Sequence, residues 1–466
     1  MGEGERVSRK TVVLYAIVVV ATGLGGMTQN ALNTMASSVL ADFSTGLSYG
    51  QLLTTLYMLS MGIVVPLASY LNRRFSVRAL VCASLSCFLC GSACDMLAFS
   101  FPMLLVGRVL EAGATGVLMP LLQTIAMTRF PAGKHGTAMG IAGISLGFAP
   151  NIGPTIGGAI VAVVSWRFLF VLLAGISAVL LVATLLFVRE REAADAQARL
   201  EARSLLYAAL AFCGLQLGFT NAASWQLAHP FVWAPAIVGA LFLVLFLKRQ
   251  RAVAVPLVDL RVFEQRPFRV ALLVQCLLYG CTMGMSLALP LFVIVGCGHS
   301  SIEAGLVLLP GALVALVFEP SAGAACDRFG AHRVCVFGGA LLLVGAVGAV
   351  FVPADAPLWV PALWQAVRCM GMTTLIPAST SFGLSPLGAR GLTPDGSSVL
   401  IMSRQLSTSL STAVMVLFIT VAPLPLFLGC ALGYHLAFGF SALLGAGALV
   451  CSLLFVHEPD RPKAGC

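Results

Sequence analysis

The sequence predicts an all-α integral membrane protein with 14 transmembrane helices. The chain of 466 residues is 59% hydrophobic and only 10% charged, and its mean hydropathy is +0.98. Soluble proteins contain roughly 25% charged residues, so no soluble fold explains this composition. Apolar runs of about 20 residues, the length that crosses a bilayer, recur along the whole chain. The basic residues fall in every second loop between these runs, as the connectivity of a polytopic membrane protein requires.

We place the fourteen spans from these apolar runs, with the seventh and eighth the shortest. The predicted spans are 11–32, 50–71, 78–98, 102–125, 137–161, 167–188, 204–221, 230–247, 269–295, 303–325, 333–353, 357–382, 397–421 and 427–456. Arg6, Arg9 and Lys10 precede the first run, but no small-residue cleavage site follows it. We therefore expect the first span to remain in the protein.

The distribution of charge predicts the orientation of the chain. Twenty-three of the 27 Lys and Arg residues lie in the segments that are cytoplasmic when both termini are cytoplasmic, and the intervening loops contain none. This pattern predicts a multi-pass protein of the cell membrane with both termini in the cytoplasm. The net charge of +9 is spread over eight segments, so we expect contact with membrane lipids and no binding of nucleic acid.

A few ionisable residues fall inside the predicted spans, where they are costly and mark functional sites. The basic residues are Arg108, Arg368 and Arg404, and the sequence suggests no particular role for Arg368. Glu111 and Glu319 lie well inside apolar runs, whereas Asp42, Asp95, Glu303 and Asp355 lie near predicted outer ends.

The sequence contains no pattern that predicts an enzyme or a cofactor. Its 14 cysteines and 6 histidines are dispersed without the spacing of a metal site, and we expect the cysteines to serve in helix packing. No nucleotide-binding loop or catalytic triad is present. We therefore expect no metal, no cofactor and no ATP-driven chemistry.

The stretch GISLGFAPNIGPTIGG, residues 143–158, interrupts a predicted span with glycines and prolines. Their spacing of three and four places them on one helix face, where they permit close approach of a neighbouring helix. Each proline also removes a backbone hydrogen bond and can bend the helix. A plain packing face remains an alternative to a functional motif here.

Five segments resemble the fourteen-helix drug:proton antiporters of the major facilitator superfamily, the EmrB/QacA type. The stretch GFAPNIGPTIGG before SWRFLF resembles the antiporter motif of the fifth helix in that family. The other four segments are VPLASYLNRRFSVRAL at 65–80, GRVLEAGATGVLMP at 107–120, PLVDLRVFEQRPFR at 256–269 and GAACDRFGAHR at 323–333. The matching motif positions are Gly147, Pro150, Gly153, Pro154, Gly157 and Gly158.

The resemblance implies the major facilitator fold, with two six-helix bundles and two inserted helices. The N-terminal bundle would cover 1–188 and the C-terminal bundle 254–466. Residues 189–253 between them would form a cytoplasmic linker helix (189–203) and the two inserted helices. The bundles would rock about a midplane site and be latched on the cytoplasmic side by charge contacts. The expected latch residues are Arg73, Arg74, Asp327 and Arg328. Anchoring of these arginines to the membrane surface is the alternative.

The resemblance also implies exchange of a substrate for protons, with the proton gradient as the energy source. Thr28 stands where family members carry an aspartate in the first helix. Glu111 occupies the position of a glutamine in the fourth-helix motif, three residues after Arg108 and on the same helix face. We expect Glu111 to couple proton movement with Arg108 as its modulator, and Glu319 to be a second coupling residue. A fixed ion pair that braces the fourth helix is the alternative.

The expected substrate is a small hydrophobic or amphipathic compound, with cations favoured if Glu111 or Glu319 faces the cavity. Candidate cavity residues are Thr28, Gln29, Asn33, Gln123, Asn151, Gln275, Tyr279, Met283, Gln365 and Arg404. We expect a monomer that exports drugs or toxins across the cytoplasmic membrane. An exporter of the same fold dedicated to an endogenous lipid, siderophore, peptide or secondary metabolite is the second hypothesis.

Overall fold

The computed structural model describes residues 7–45, 49–188, 200–222, 229–253, 255–421 and 432–456, and this part of the chain is helical. The described residues form fifteen α-helices: α1 (Arg9–Asp42), α2 (Gly50–Arg74), α3 (Val77–Met96), α4 (Phe101–Thr128), α5 (His135–Gly143), α6 (Ala149–Val163), α7 (Arg167–Phe187), α8 (Ala202–Ala222), α9 (Pro230–Ala252), α10 (Arg266–Leu291), α11 (Ser301–Phe329), α12 (Ala331–Val350), α13 (Trp359–Gly388), α14 (Thr393–Val421) and α15 (Leu432–Phe455). The predicted linker helix at 189–203 falls mostly outside the described residues.

Twelve segments of the described chain are long and apolar enough to cross a membrane. One of them runs from the turn before α5 to the end of α6, so these two helices form a single rod. Helices α13 and α14 are 30 and 29 residues long but are not among the twelve. Both contain several Ser and Thr residues and a buried arginine, which lower their mean hydropathy.

The helices pack as two groups. Helices α1 to α7 contact one another, as do α10 to α15, and the two groups meet through α2 and α4 against α14 and through α5 against α11 and α13. Helices α8 and α9 pair closely, because a Cβ atom built on Gly214 would lie 2.6 Å from the Cα atom of Gly239. Helix α8 also lies against α2 and α14, one helix from each group.

A π-helical turn, Ile144–Phe148, joins α5 to α6 and precedes Pro150. Proline cannot donate the hydrogen bond that continues an α-helix, and such wide turns occur where the ladder is disturbed. Beyond the turn, Gly153 and Gly157 face α1, where a Cβ atom on Gly157 would lie 2.7 Å from the carbonyl oxygen of Ala31. Part of the glycine-rich face is therefore a packing surface, which was the alternative that the sequence left open.

The same rod packs against α11 before the π turn. A Cβ atom on Gly140 would lie 2.6 Å from the carbonyl oxygen of Glu319 and 2.9 Å from the Cα atom of Gly323. The glycines thus bring α5 and α11, one from each group, into backbone contact. The rod therefore packs against α11 of the other group before the π turn and against α1 after it.

The end of the bundle that carries Asp42 is held together by an aromatic and an arginine side chain. The Asp42 carboxylate accepts hydrogen bonds from Trp166 Nε1 at 2.8 Å and from Arg167 Nη1 at 2.6 Å. These hydrogen bonds lower the pKa of Asp42 below its usual value. The charge pattern predicts that this end faces away from the cytoplasm, and we call it the outer end; the opposite end is the inner end.

Candidate functional site: a central cavity, two buried acid sites and a closed inner end

A cavity of about 370 Å³ lies between the two groups of helices. Its volume falls within the range of sites for small organic molecules. Five methionines form much of its wall, and such side chains adapt to ligands of different shape. They are Met58, Met61, Met119, Met283 and Met372.

Six of the ten predicted cavity residues lie on this wall. They are Gln29, Asn151, Tyr279, Met283, Gln365 and Arg404. Thr28, Gln123 and Gln275 are instead buried in the helix packing, where Gln275 donates to Thr380 Oγ1 at 2.7 Å. The side chain of Asn33 lies outside the described part of the structure. Thr28 is therefore not part of the described cavity wall.

A charged cluster lies next to the cavity, between α1, α2, α3 and α4. Arg108 Nη1 donates to Glu111 Oε2 at 2.8 Å, and both side chains have no exposed surface. Arg108 Nη2 donates to the carbonyl oxygen of Thr28 at 3.0 Å, and Ser92 Oγ donates to Glu111 Oε1 at 2.8 Å. The Arg108 guanidinium group also stands 4.2 Å from the centre of the Tyr57 ring. The cluster connects α4 to its three neighbours.

Asp95 belongs to this cluster, although its position in the sequence suggested the outer interface. It is fully buried, and neither of its carboxyl oxygens has a hydrogen-bond partner in the described structure. It packs on the backbone of Gly107 and lies within electrostatic reach of Arg108 and Glu111. The sequence did contain an indication of this location, because Gly91, Ser92 and Asp95 share one face of α3 by their spacing. That face meets α4, where a Cβ atom on Gly91 would lie 3.0 Å from Glu111 Cγ.

Glu319 lies in α11 against the π turn of the α5–α6 rod. Its carboxyl oxygens are buried and form no regular hydrogen bond to a described residue, although the backbone N–H of Phe148 interacts with them. The carboxyl group occupies the space that a side chain at Gly147 would fill. Glu319 is not part of the cavity wall, but it is within electrostatic reach of two wall residues, Tyr279 and Cys369.

Two buried arginines lie on the cavity wall. Arg368 donates to Gln365 Oε1 at 2.7 Å and to the carbonyl oxygen of Thr282 at 3.1 Å. Arg404 donates to Thr380 Oγ1 at 2.9 Å, and its guanidinium group stands 5.1 Å from the centre of the Tyr279 ring. Among the described residues that line the cavity there is no Asp or Glu. The condition on which we expected a cationic substrate, an acid facing the cavity, is therefore not met.

At the inner end, Asp327 connects α11 to the first turn of α5. Its carboxylate accepts hydrogen bonds from the backbone N–H groups of Gly136 and Thr137, each at 2.7 Å, and from Thr137 Oγ1 at 2.6 Å. An acidic group at a helix N-terminus is stabilised by the free N–H groups and the helix dipole. The contact joins the two groups of helices.

A second inner contact connects α2 to α14. Arg73 Nη1 lies 3.3 Å from Asp395 Oδ2, and Arg73 Nη2 donates to the carbonyl oxygens of Pro256 and Leu257 at 2.9 and 3.0 Å. We expected charge contacts among Arg73, Asp327 and Arg328. Arg73 instead pairs with Asp395, because the segment 255–259 and the start of α14 lie beside the end of α2.

The remaining residues of the expected latch lie at the same end of the bundle. Arg328 is in the last turn of α11, where its guanidinium group stands 5.2 Å from the Phe329 ring, and Arg74 is the last residue of α2. With Asp327 and Arg73 bridging the two groups of helices, the inner end of the cavity is closed in this structure.

Two groups of helices around a central cavity, joined at one end, define a polytopic membrane transporter. The family model of the Major Facilitator Superfamily matches residues 18–412. The chain belongs to the major facilitator superfamily, whose members are transporters and not enzymes. The resemblance found in the sequence is confirmed at the level of this superfamily.

Curated relatives match along most of the chain. An uncharacterized MFS-type transporter of Bacillus subtilis, YcnB, is 30% identical over 87% of this chain and 85% of its own. The lincomycin resistance protein LmrB of Listeria monocytogenes is 28% identical over 95% of this chain and 96% of its own. A multidrug resistance protein B homolog of Mycobacterium tuberculosis is 26% identical over 87% and 75% of the two chains.

Two solved structures are similar to this fold. The human organic anion transporter MFSD10 superposes with a TM-score of 0.66 at 13% identity, covering 94% of this chain and 99% of its own. The proton:xylose symporter XylE superposes with a TM-score of 0.65 at 14% identity and covers 97% of each chain. These similarities establish the helical arrangement alone.

Proposed function

We propose that this protein exports hydrophobic or amphipathic compounds, drugs among them, across the cytoplasmic membrane in exchange for protons. In this proposal fourteen helices span the bilayer, with α13 and α14 as two of them, and both termini are cytoplasmic. A monomer alternates between an inner-closed and an inner-open arrangement. The proton gradient supplies the energy, and no cofactor is required. A cationic preference is not part of the proposal, since the acids on which it depended lie off the cavity wall.

The observation that carries the proposal is the cluster of Arg108, Glu111 and Asp95. One guanidinium cation and two carboxyl groups are buried together, with no exposed surface. With both acids ionised the cluster would hold a net negative charge in the membrane interior, which is strongly unfavourable. Two neighbouring acids in such a place share a proton. The cluster is therefore neutral when it holds one proton, and loss of that proton charges it.

Such a cluster can couple to transport because its members lie on α3 and α4 and Arg108 also contacts α1 and α2 of the same group. Arg108 holds the carbonyl oxygen of Thr28 in α1, and Ser92 in α3 holds Glu111 in α4. A change in the charge of the cluster changes the hydrogen bonds that position these helices around the cavity. Proton and substrate would then act on the same equilibrium from separate sites.

Glu319 is the second proposed proton site. It lies where α11 meets the π turn of the α5–α6 rod, so it joins the two groups of helices beside the closed inner end. When Glu319 is ionised, its buried charge disfavours close contact with the rod; when it is protonated, the contact is restored. The closed inner end is one of the two arrangements that alternating access requires.

The names of the relatives support the drug-export part of the proposal. The listerial relative is named for lincomycin resistance and the mycobacterial relative for multidrug resistance, and both match most of this chain. An exporter with a methionine-rich cavity wall can accept compounds of different shape. We therefore expect several chemically unrelated compounds to be substrates.

The test is proton movement in everted membrane vesicles that are energised by respiration. Lincomycin and a panel of lipophilic cations, anions and neutral drugs are added to vesicles with the protein, and the pH gradient is followed by fluorescence. We expect some compounds to dissipate the gradient with the unmodified protein and not with Glu111→Gln. Vesicles with Asp355→Asn, an exposed acid in the loop between α12 and α13, serve as the control.

Two results would contradict the proposal. If no compound of the panel moves protons, multidrug exchange is wrong and a dedicated cargo takes its place. If Glu111→Gln behaves as the unmodified protein at equal expression, the ion pair is a brace and Glu319→Gln is tested in its place.

A further inference from the structure

We infer that the central cavity recognises amphipathic compounds that carry an anionic group, such as a carboxylate, and that Arg368 and Arg404 bind this group. The inference deepens the proposed function, on which it rests, by assigning the charge of the substrate. It reverses the preference for cations that the sequence suggested.

Arg368 lies at the cavity wall as a buried cation, and no acid among the described residues pairs with it. It is 1% exposed, and its described hydrogen bonds go to the amide oxygen of Gln365 and the carbonyl oxygen of Thr282. Neutral acceptors satisfy the N–H groups but leave the positive charge uncompensated. A buried charge without a counter-ion is unfavourable, so an anion that enters the cavity gains the interaction that the protein does not provide.

Arg404 provides a second cation on the same wall. It is 5% exposed and donates to the hydroxyl group of Thr380, while its Nε atom is buried without a hydrogen-bond partner in the described structure. Tyr279 lies beneath its guanidinium group and fixes its position. A guanidinium group with a free N–H is suited to a planar carboxylate or to a phosphate or sulfonate oxygen.

The two halves of the fold show what is missing beside Arg368. Arg108 lies in the fourth helix of the first group and Arg368 in the fourth helix of the second, α13. Each donates to a carbonyl oxygen of the first helix in its own group, that of Thr28 in α1 or of Thr282 in α10. Arg108 binds Glu111, three residues after it, whereas the residue three positions after Arg368 is Gly371. Arg368 instead binds the neutral Gln365, three residues before it. The second half keeps the cation and lacks the acid.

The rest of the described wall agrees with an amphipathic anion. No Asp or Glu lines it, so no acid competes with the ligand for the arginines. Glu319 lies behind the wall, and its carboxyl oxygens form no hydrogen bond to either arginine. The methionines provide apolar contact for the remainder of the molecule. A ligand with an apolar body and one anionic group would therefore match both the methionines and the two arginines of the wall.

Export of an anion is also consistent with the energy source. An anion that leaves the cell and a proton that enters both move positive charge inward, so the membrane potential drives each step. Because the proposed proton cluster is off the cavity wall, substrate and proton need not compete for one acid.

The test is equilibrium binding to the purified full-length protein in detergent at pH 8, which requires neither transport nor a proton gradient. The probes are a dansyl-labelled undecanoic acid, its methyl ester, and a dansyl-undecyl trimethylammonium salt, which share a fluorophore and chain. We expect the acid to bind at least about tenfold more tightly than the ester and the cation to bind most weakly. Arg368→Gln and Arg404→Gln should each remove most of the preference for the acid and leave binding of the ester within about twofold.

Binding of the ester reports whether each variant keeps its cavity, and Arg390→Gln removes an exposed arginine at the inner end as the matched control. Arg368→Lys should keep part of the preference, because it keeps the charge. Equal binding of acid and ester to the unmodified protein, or tighter binding of the cation, would overturn the inference even if a variant fails to fold. A protein that prefers the acid but moves no protons in the vesicle assay would contradict the proton coupling and leave the inference in place.

Discussion

Arg108 and Glu111 form an ion pair of 2.8 Å inside α4, and Asp95 of α3 lies beside them with no hydrogen bond to a described residue. We expect this cluster to exchange partners, with Arg108 pairing with either carboxylate while the other acid holds a proton; a fixed brace is the alternative. Stability and transport should therefore respond differently to the loss of each member.

Arg108→Gln should be more destabilising than Glu111→Gln. Loss of the arginine leaves two buried acids without a cation, and breaking a buried ion pair in this way costs about 3–5 kcal/mol. Loss of the glutamate leaves Arg108 with Asp95 as a replacement partner, so we expect about 1–2 kcal/mol, the size of one lost hydrogen bond to a charged group. Reversible unfolding in mixed micelles measures both. The double variant Arg108→Gln/Glu111→Gln should recover most of the stability that Arg108→Gln loses. Equal free energies of unfolding for the two single variants and the double variant would rule out an exchange of partners.

Asp95→Asn should abolish substrate-driven proton movement while the protein still folds and binds substrate. The amide has the shape of the acid but does not ionise near neutral pH, and without Asp95 the ion pair of Arg108 and Glu111 is already neutral. The measurement is the pH gradient in everted vesicles, together with probe binding to the purified protein. Asp355→Asn is the matched control. Normal proton movement with Asp95→Asn would limit the coupling site to Glu111 and Glu319.

The sequence predicted the pairing of Arg108 with Glu111 but not the presence of Asp95. Residues three apart on one helix share a face, so the first pair follows from spacing alone. Asp95 lies near the end of a predicted span, and hydropathy gives neither the depth of that end nor the helix that its face meets. Contact between α3 and α4 depends on Gly91 and Gly107, which allow a close approach that single-helix patterns do not reveal.

The fold was predictable in outline because composition and charge determine it. The apolar runs and the alternating basic loops predicted the helices, and most bounds agree within several residues; α1 continues about ten residues beyond its apolar run. The partners across the two groups of helices were not predictable. Arg73 pairs with Asp395, which is 322 residues away, and no spacing rule relates residues on different helices at that separation.

Gly147→Ala should uncouple transport without unfolding the protein. A methyl group there would occupy the position of the Glu319 carboxyl group, which is the mobile end of its side chain, so the acid moves rather than the backbone. We expect substrate-driven proton movement to fall at least about tenfold, with the free energy of unfolding changed by less than about 1 kcal/mol. Gly158→Ala in the same motif meets no atom within 4 Å and should behave as the unmodified protein. If both variants transport normally, the place of Glu319 against the π turn has no part in coupling.

Asp327→Asn should weaken closure of the inner end. The carboxylate accepts three hydrogen bonds from the first turn of α5, and an asparagine side chain has one acceptor oxygen and loses the charge at the helix terminus. Hydrogen bonds to a charged group are worth about 1.5–3 kcal/mol, so the inner-open population should rise about tenfold or more. The reporter is Cys326, which is buried between α5 and α11, in a chain whose other cysteines are replaced.

Labelling of Cys326 by a membrane-permeable maleimide measures how often this interface opens. We expect the rate to increase in Asp327→Asn and to remain unchanged in Asp355→Asn. Adding a transported compound separates closure from folding: a ligand that favours the inner-closed arrangement should slow labelling again, whereas a misfolded protein would not respond. Equal labelling of Asp327→Asn and the unmodified protein would mean that the backbone contact of Gly140 with Gly323 holds the inner end without the carboxylate.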